Sequence, residues 1–468
     1  MKTSKASGIQ VLEQGKFFAL VSLFVTANSF AQDSSVALAA KLYQRLTGTP
    51  LVDASKRAQM VQKIDQNDIR GAADIAINEA DFIDITVKQF LTPFSNVDRL
   101  PDAVLNDLVA TGAGIVRDDL DFRRALYDDI YYRGNATLSA NTTAAAIRIS
   151  AWAPNNNNHY RDFATKGYKL SDVNQLVSIK QSELPGFTLN AKPNATSGML
   201  TTRTSGEAFI QAGTNRRMFK FTLLNYMCRE MENIHDTTQP DYMVRRDVLR
   251  DPSGDSRVFK AKCAGCHAIQ DSATPAYAYY DFTNGALTYT EGTVVDKFIV
   301  RDDPKLCIPS VTGNTLSKVV NPVDGSNSFC DVNGNNTRDA ATDRFVDARV
   351  NFDKGYMVKN DKWVNHMVGA VNKKMVWNDV VLPDGSKQSA LSGAGMKSLH
   401  MAFANSNAFS ECMAERVYAK LCIIPKNKAI QDEITKISGE FRQNQYKMKF
   451  LFARVAEACV KAEAEAMK

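Results

Sequence analysis

Two thiols and an imidazole stand within five residues of one another: Cys263, Cys266 and His267, in the segment VFKAKCAGCHAIQ. The C-x-x-C-H spacing is that of covalent haem attachment. Two cysteines three apart on one helical turn reach the two vinyl groups of a single porphyrin, and the adjacent histidine turns its ring to the iron. The competing reading is a structural or redox cysteine pair followed by an incidental histidine. The flanks favour attachment: a polar, turn-prone stretch (DPSGDSR) leads into Val258, Phe259 and Ala261, which would open a short helix. One covalent haem is therefore expected, with Cys263 and Cys266 as thioether residues and His267 as the iron ligand.

The sixth position of the iron decides the chemistry. Methionine there raises the potential and closes the site; an open position admits peroxide, O₂ or NO. The first methionine after the motif is Met357, which is the leading candidate, and Met367, Met375, Met396 and Met401 remain open. His366 and His400 are the candidates for a bis-histidine site. For each, core packing or a solvated face is the plainer reading. Trp363 and Trp377 are candidates for the porphyrin edge, with packing elsewhere equally expected.

Thioether attachment is carried out outside the bacterial inner membrane, and the N-terminus agrees with export. Lys2, Lys5 and Lys16 precede the apolar run FFALVSLFVT, and ANSFAQ follows with small residues at Ser29 and Ala31. A signal peptide ending at Ala31 is expected. No other stretch approaches about twenty apolar residues, so no integral membrane segment is expected in the mature chain. An exported chain keeps disulfides, and six cysteines remain beside the haem pair. Cys307 with Cys330, Cys422 with Cys459 and Cys228 with Cys412 are the preferred pairs, and free buried thiols are the alternative. Cys412 and Cys422, about 15 Å apart if on one helix, are too distant to bond each other.

Composition is that of an ordinary globular chain, 44% hydrophobic and 23% charged over 468 residues, enough for two or three domains. The formal charge of +6 falls to about +4 without the leader, with basic and acidic residues interleaved, which argues against nucleic acid as a partner. There is no phosphate-binding G-x-x-x-x-G-K-[ST], no G-x-G-x-x-G after a strand, no H-E-x-x-H and no G-x-S-x-G. Asp118, Asp119 and Asp121, closely spaced near an expected helix start, are explained by the helix dipole and are not expected to be catalytic.

Apolar residues recur at helical spacing over 35–46, 69–78, 81–91, 102–110 and 120–127, then over 172–184 and 216–231, and again over 407–421, 428–441 and 443–461. Helices are expected throughout 361–468. Between them, 134–158 is rich in Asn, Thr and Ala and reads as a connection. From Tyr277 to about Phe352 helical spacing is absent, and short β-prone runs (287–290, 294–300) lie among Gly, Asn, Asp and Pro. Within that insertion, Asp331, Asn333, Asn335 and Asp339 put oxygen side chains at alternate positions, as Ca²⁺ loops do. Asn336 stands where such a loop has Gly, and Thr342 where it has Glu, so Ca²⁺ and a plain Asx-rich turn both stay open. The expected divisions are a signal peptide at 1–31, an N-terminal helical domain at 32–133, a second helical module at 134–250, a haem segment with a loop-rich insertion at 251–360, and a C-terminal helical bundle at 361–468.

The order of parts resembles the exported multi-module proteins first catalogued in planctomycetes, in which domains of unknown function flank a short mono-haem cytochrome c segment. Three pieces carry the resemblance. Gly198, Leu200 and Thr201, then Arg216 and Arg217, then Leu223, Leu224 and Cys228 are similar to a G-x-L-T, basic segment and LL…C series. Cys263, Cys266 and His267 with Tyr280, Asp281 and Phe282 downstream form the second piece, and Leu399 through Phe409 to Cys412 looks like a closing helix. The insertion after the haem motif and the lack of an aromatic-rich tail depart from that pattern. The resemblance implies a mainly α fold, with helical modules around a cytochrome c-like haem segment and a loop-rich, short-β insertion. The function expected is electron transfer between redox partner proteins, in the periplasm or at the cell surface. A haem enzyme or ligand sensor with an open distal iron site is the alternative. No catalytic residue is assigned, and an enzyme is the less expected outcome.

Overall fold

Asn106 starts the helix at the centre of the fold: its side chain accepts from the Val109 N–H at 3.1 Å, satisfying an otherwise unpaired donor of the first turn. The helix runs Asp107–Arg117 and is buried over nearly its whole length. It can be buried because Gly112 and Gly114 leave room for neighbours. A Cβ on Gly114 would stand 2.2 Å from the Tyr132 ring, and one on Gly112 would stand 2.8 Å from Leu91. The helix expected over 102–110 therefore starts later and runs further, through Gly112 and Gly114.

The computed structural model describes residues 35–140, 146–210, 215–245, 248, 256–294, 306–307, 317–320, 328–331, 344–346, 356, 358–382, 385–422, 425 and 427–466. The signal peptide, Met357 and most of the proposed Ca²⁺ loop lie outside these residues. The chain is mainly helical with a few short strands.

The first helices, 35–47, Ala54–Asp65 and Ile69–Ile77, are followed by a π-helical turn Phe82–Val87 that continues into Lys88–Leu91. Asp53 and Asp68 cap two of them by accepting from Lys56 N (2.9 Å) and Gly71 N (2.7 Å). Against this group packs the C-terminal bundle of Asn407–Leu421, Lys428–Gln443 and Met448–Ala466. Phe452 of the last helix meets Phe82 and Phe90 edge-on at 5.2 and 5.3 Å. Burying each such ring contributes about 1.5–3 kcal/mol. One apolar core runs through residues from Ala39 to Val460, drawing on both ends of the chain. Two small clusters stand apart from it. One is Val244, Val248, Phe259 and Ala264, and the other is Ala278, Tyr279 and Val358.

Four expectations are corrected. Residues 172–184 are not a helix: Leu176–Ile179 is a strand, antiparallel to Tyr131–Gly134, with Leu176 opposite Gly134. The β-branched pair Val177 and Ile179 suits a strand, and a waiting partner decided the matter. Residues 120–127 keep only Arg124–Tyr127 as α-helix, because the Phe122 N–H is drawn to Tyr446 O at 3.1 Å. The run 216–231 breaks into Arg216–Thr222 and a π turn Leu223–Met227, ending at Cys228 in the left-handed region. Finally, helix does not resume at Asp361. Strands Lys362–Val364 and Ser392–Ala394 pair there across 3₁₀ turns, and α-helix begins at Gly395. Helices Ala54–Asp65 and Asn158–Thr165 went unanticipated.

After the C-x-x-C-H motif, Tyr280–Thr283 and Ala286–Tyr289 form a hairpin. Its two-residue turn is Asn284–Gly285, both at positive φ, the tight turn that favours Asn-Gly. Further on, Leu306–Cys307, Ser317–Val320, Ser328–Asp331 and Arg344–Val346 make a four-stranded antiparallel sheet in chain order. Short strands thus occupy the segment where helical spacing is missing.

Candidate haem-attachment site

Helix Ser256–Lys262 places Phe259 in the small apolar cluster with Val244, Val248 and Ala264, and Cys263 packs against that cluster. The chain then turns into a second helix, Ala264–Ala273, with Cys263 at its N-cap; Cys263 O accepts from His267 N at 3.1 Å. Cys266 and His267 follow on the first turn, so the two sulfurs and the ring project from one helix end.

Gly265 between the cysteines is required by its surroundings. A Cβ there would stand 2.7 Å from Cδ2 and Nε2 of His235 and 3.1 Å from the Asp236 backbone, whose N–H faces Gly265 O at 3.5 Å. His235 was not singled out from the sequence. It is 30 residues distant, and no spacing signal connects it to the motif.

Cys263 and Cys266 carry free thiols. Cys266 lies 3.6 Å from Met231 O, and burial, followed by the Glu232 carboxylate and Cys263, pushes its thiol pKa up. Four of the other cysteines are joined as expected: Cys228 with Cys412 at a Cα separation of 5.1 Å, and Cys422 with Cys459 at 5.4 Å. The side chains of Cys307 and Cys330 lie outside the described residues.

His267 Nδ1 lies 3.1 Å from Oδ2 of Asp271, one turn on, and 3.3 Å from Nε2 of Gln270. The two neighbours demand opposite tautomers. The carboxylate decides, because it is ionised and can only accept, so Nδ1 carries the proton and Nε2 keeps its lone pair. Burial works to raise the Asp271 pKa, but hydrogen bonds and charge from His267 and Arg216 override it and hold it at about 2. Asp271 is fully buried. Arg216 grips it with Nε to Oδ1 at 2.7 Å and Nη2 to Oδ2 at 3.1 Å, and the Arg245 N–H adds 3.3 Å to Oδ2. Nε2 of His267 has no hydrogen-bond partner among the described residues. The residues present thus fit a c-type haem: two unbonded thiols on one turn, an apolar cluster beside the first, and an imidazole whose tautomer leaves Nε2 for iron.

The residues expected as candidates for a second iron ligand fare differently. His400 is fully buried with both ring nitrogens engaged, Nδ1 with Ser197 Oγ at 2.8 Å and Nε2 with Tyr277 Oη at 3.1 Å. Burial depresses its pKa to about 3, so the ring is neutral. His366 packs on the motif helix itself, Nδ1 3.0 Å from the carbonyl of Ala268. Met367, Met375 and Met396 are buried in the main core, and Met401 is partly exposed. Met357 lies outside the described residues, but Tyr356 before it bridges to Arg245, donating its N–H to Val244 O at 2.9 Å beside the cluster that receives Cys263. Trp363 is buried and donates to Ser398 Oγ at 2.7 Å, while Trp377 packs on Phe403 and donates to Met367 O. Both indoles thereby serve the main core.

Segments far apart in sequence are joined here and nearby: Arg216 grips Asp271, and His400 joins Ser197 to Tyr277 in the turn after the motif helix, while Cys228 is bonded to Cys412. Asp118, Asp119 and Asp121 are ion-paired with Arg117, Lys447 and Arg123; Asp118 and Asp119 follow the C-terminal end of the Asp107–Arg117 helix and not a helix start, so ion pairs and not the helix dipole hold them. Among the described residues no cluster of three His, Cys, Asp or Glu side chains is spaced to hold a metal ion, and no helix is long and apolar enough to cross a membrane. Comparison with protein-family models, curated proteins and solved structures returns no match.

Proposed function

We propose that this chain is an exported mono-haem c-type cytochrome protein, of the multi-module kind described above, that passes single electrons between partner proteins. The observation that carries the reading is the state of the C-x-x-C-H turn. Its two cysteines are free while four others are paired, and its histidine is locked with Nε2 available.

Cys263 and Cys266 would hold the porphyrin through thioethers, each S–H adding across a vinyl double bond so that nothing leaves and nothing is oxidised. His267 would bind the iron, which supplies a one-electron Fe(III)/Fe(II) couple. The protein's own part is to keep the ring at a fixed angle, through Asp271, and to give the first thioether an apolar neighbour in Phe259. Two disulfides support an oxidising compartment. The periplasm or the cell surface is the proposed location.

A haem enzyme or sensor with an open distal position is the second reading. Its support is that His400 is fully engaged and three of the candidate methionines are committed to the core. Absorption spectra of the purified protein, oxidised and reduced, with and without carbon monoxide, separate the two. A low-spin spectrum indifferent to carbon monoxide supports the carrier, and a high-spin, carbon-monoxide-sensitive one supports the second reading. A protein exported in cells competent for haem attachment that carries no covalent haem overturns both.

A further inference from the structure

A histidine on a helix surface is free to rotate and to carry its proton on either nitrogen, and an iron ligand that does so is a poor one. His267 is prevented from doing either by a carboxylate that water does not reach. Asp271 sits at i+4, fully buried, with Oδ2 3.1 Å from Nδ1. Burying a carboxylate is costly unless it is paired, and here the fork of Arg216 pairs it, with the Arg245 N–H as a further donor. A hydrogen bond to a backbone carbonyl would orient the ring equally well. The buried ion pair adds a full negative charge, whose pull on the Nδ1 proton makes Nε2 a stronger donor, while the Arg216 guanidinium draws part of that charge away.

We propose that Asp271 is the positioning residue of the iron ligand, and that the Arg216–Asp271 pair sets the donor strength of His267 and with it the potential of the attached haem. The proposal rests on the haem reading above and deepens it. The carboxylate favours the oxidised iron, whose extra positive charge gains most from a strong donor, and Arg216 moderates the effect. The two residues therefore act on the couple in opposite directions, which a purely structural role would not produce.

The test uses the full chain, exported and haem-loaded. Asp271→Asn keeps the shape and an acceptor oxygen but removes the charge, and the midpoint potential is expected to move positive. Arg216→Lys keeps a cation but loses the two-toothed grip, leaving more charge on the carboxylate, and the potential is expected to move negative. In the reduced wild type, the ring Nδ1 proton should exchange slowly with solvent by proton NMR, and in Asp271→Asn measurably faster. Unchanged potentials in both haem-loaded variants, or shifts of the same sign, overturn the proposal. Should Asp271→Asn fail to load haem, the sign of the Arg216→Lys shift and the wild-type proton exchange decide by the same rule. Wild-type protein that carries no covalent haem overturns the haem reading itself, a result distinguishable from an attached haem whose potential ignores Asp271.

Discussion

Tyr277 and His400 meet at 3.1 Å, phenol oxygen to Nε2, in a place solvent does not reach. Ser197 holds the other ring nitrogen at 2.8 Å and passes its own proton to Leu126 O at 2.5 Å. The network ties the Gly395–Ala404 helix to the 3₁₀ turn that follows the motif helix, and burial requires its imidazole to stay neutral.

That requirement gives a pH dependence. The folded ring titrates at about 3 against an ordinary 6.5, because burial penalises its charge. Between those values the unfolded chain binds the extra proton, so stability is full above about pH 6.5 and falls as pH drops towards 3, by at most about 1.4 kcal/mol per pH unit for this group. His159 and His366 are lowered in the same direction, again by burial first. Thermal unfolding followed from pH 7.5 to 4 should show the loss, with a shallower slope in His400→Gln. An identical slope in the variant would show that His400 does not carry the effect.

With the turn attaching haem as proposed, Gly265→Ala should lower the yield of covalent haem. The added methyl has no room beside the His235 ring or the Asp236 backbone, so the turn bearing both thiols must shift. Haem staining of denaturing gels measures the yield. His235→Ala in the same chain removes one of the two obstacles and should restore part of it. A Gly265→Ala protein that loads haem at the wild-type level would refute the steric account.

Gly198 occupies a left-handed backbone position (φ +53°), and a Cβ there would lie 2.4 Å from the carbonyl oxygen of Ala125. Strain and a backbone collision act together, so Gly198→Ala should destabilise the fold by roughly 2–4 kcal/mol, read as a lower denaturation midpoint. The Gly198 carbonyl also accepts from Gln181 Nε2 at 2.6 Å, so the displacement would reach the buried amide.

Peptide mapping without reduction should recover Cys228 with Cys412 and Cys422 with Cys459. Replacing either pair with serines should cost about 2–5 kcal/mol in guanidinium unfolding. The cost should be greater for Cys228–Cys412, which closes 184 residues of chain against 37. Equal costs would show that native-state contacts, not chain entropy, dominate.

His366→Gln should leave the haem spectrum unchanged. Its ring is held against Ala268 on the same helix as His267, whereas a second iron ligand must approach from the opposite face of the porphyrin. A change from low to high spin in this variant would reinstate His366 as a ligand.

The residues of the turn were legible because their chemistry is local. The C-x-x-C-H spacing is a local pattern, so the sequence alone singles out Cys263, Cys266 and His267 as the proposed haem site, and the long C-terminal helices follow from apolar period. Helix length excluded a bond between Cys412 and Cys422 but left open which of Cys228 and Cys459 each would take, and the fold decided it. Asp271 was within reach of the same logic, four residues after His267 on one helix, and was missed for want of a reason to bury it. That reason is Arg216, 55 residues earlier in the chain. Leu176–Ile179 became a strand because Tyr131–Gly134 lay open beside it. His235 came to rest on Gly265, and His400 between Ser197 and Tyr277, through packing that no local pattern encodes. Covalent spacing and helical period are properties of neighbours in sequence and can be read there. The partner of a buried charge, the edge that completes a strand and the ring that forbids a side chain exist only once distant segments are pressed together, so the tertiary structure alone decided them.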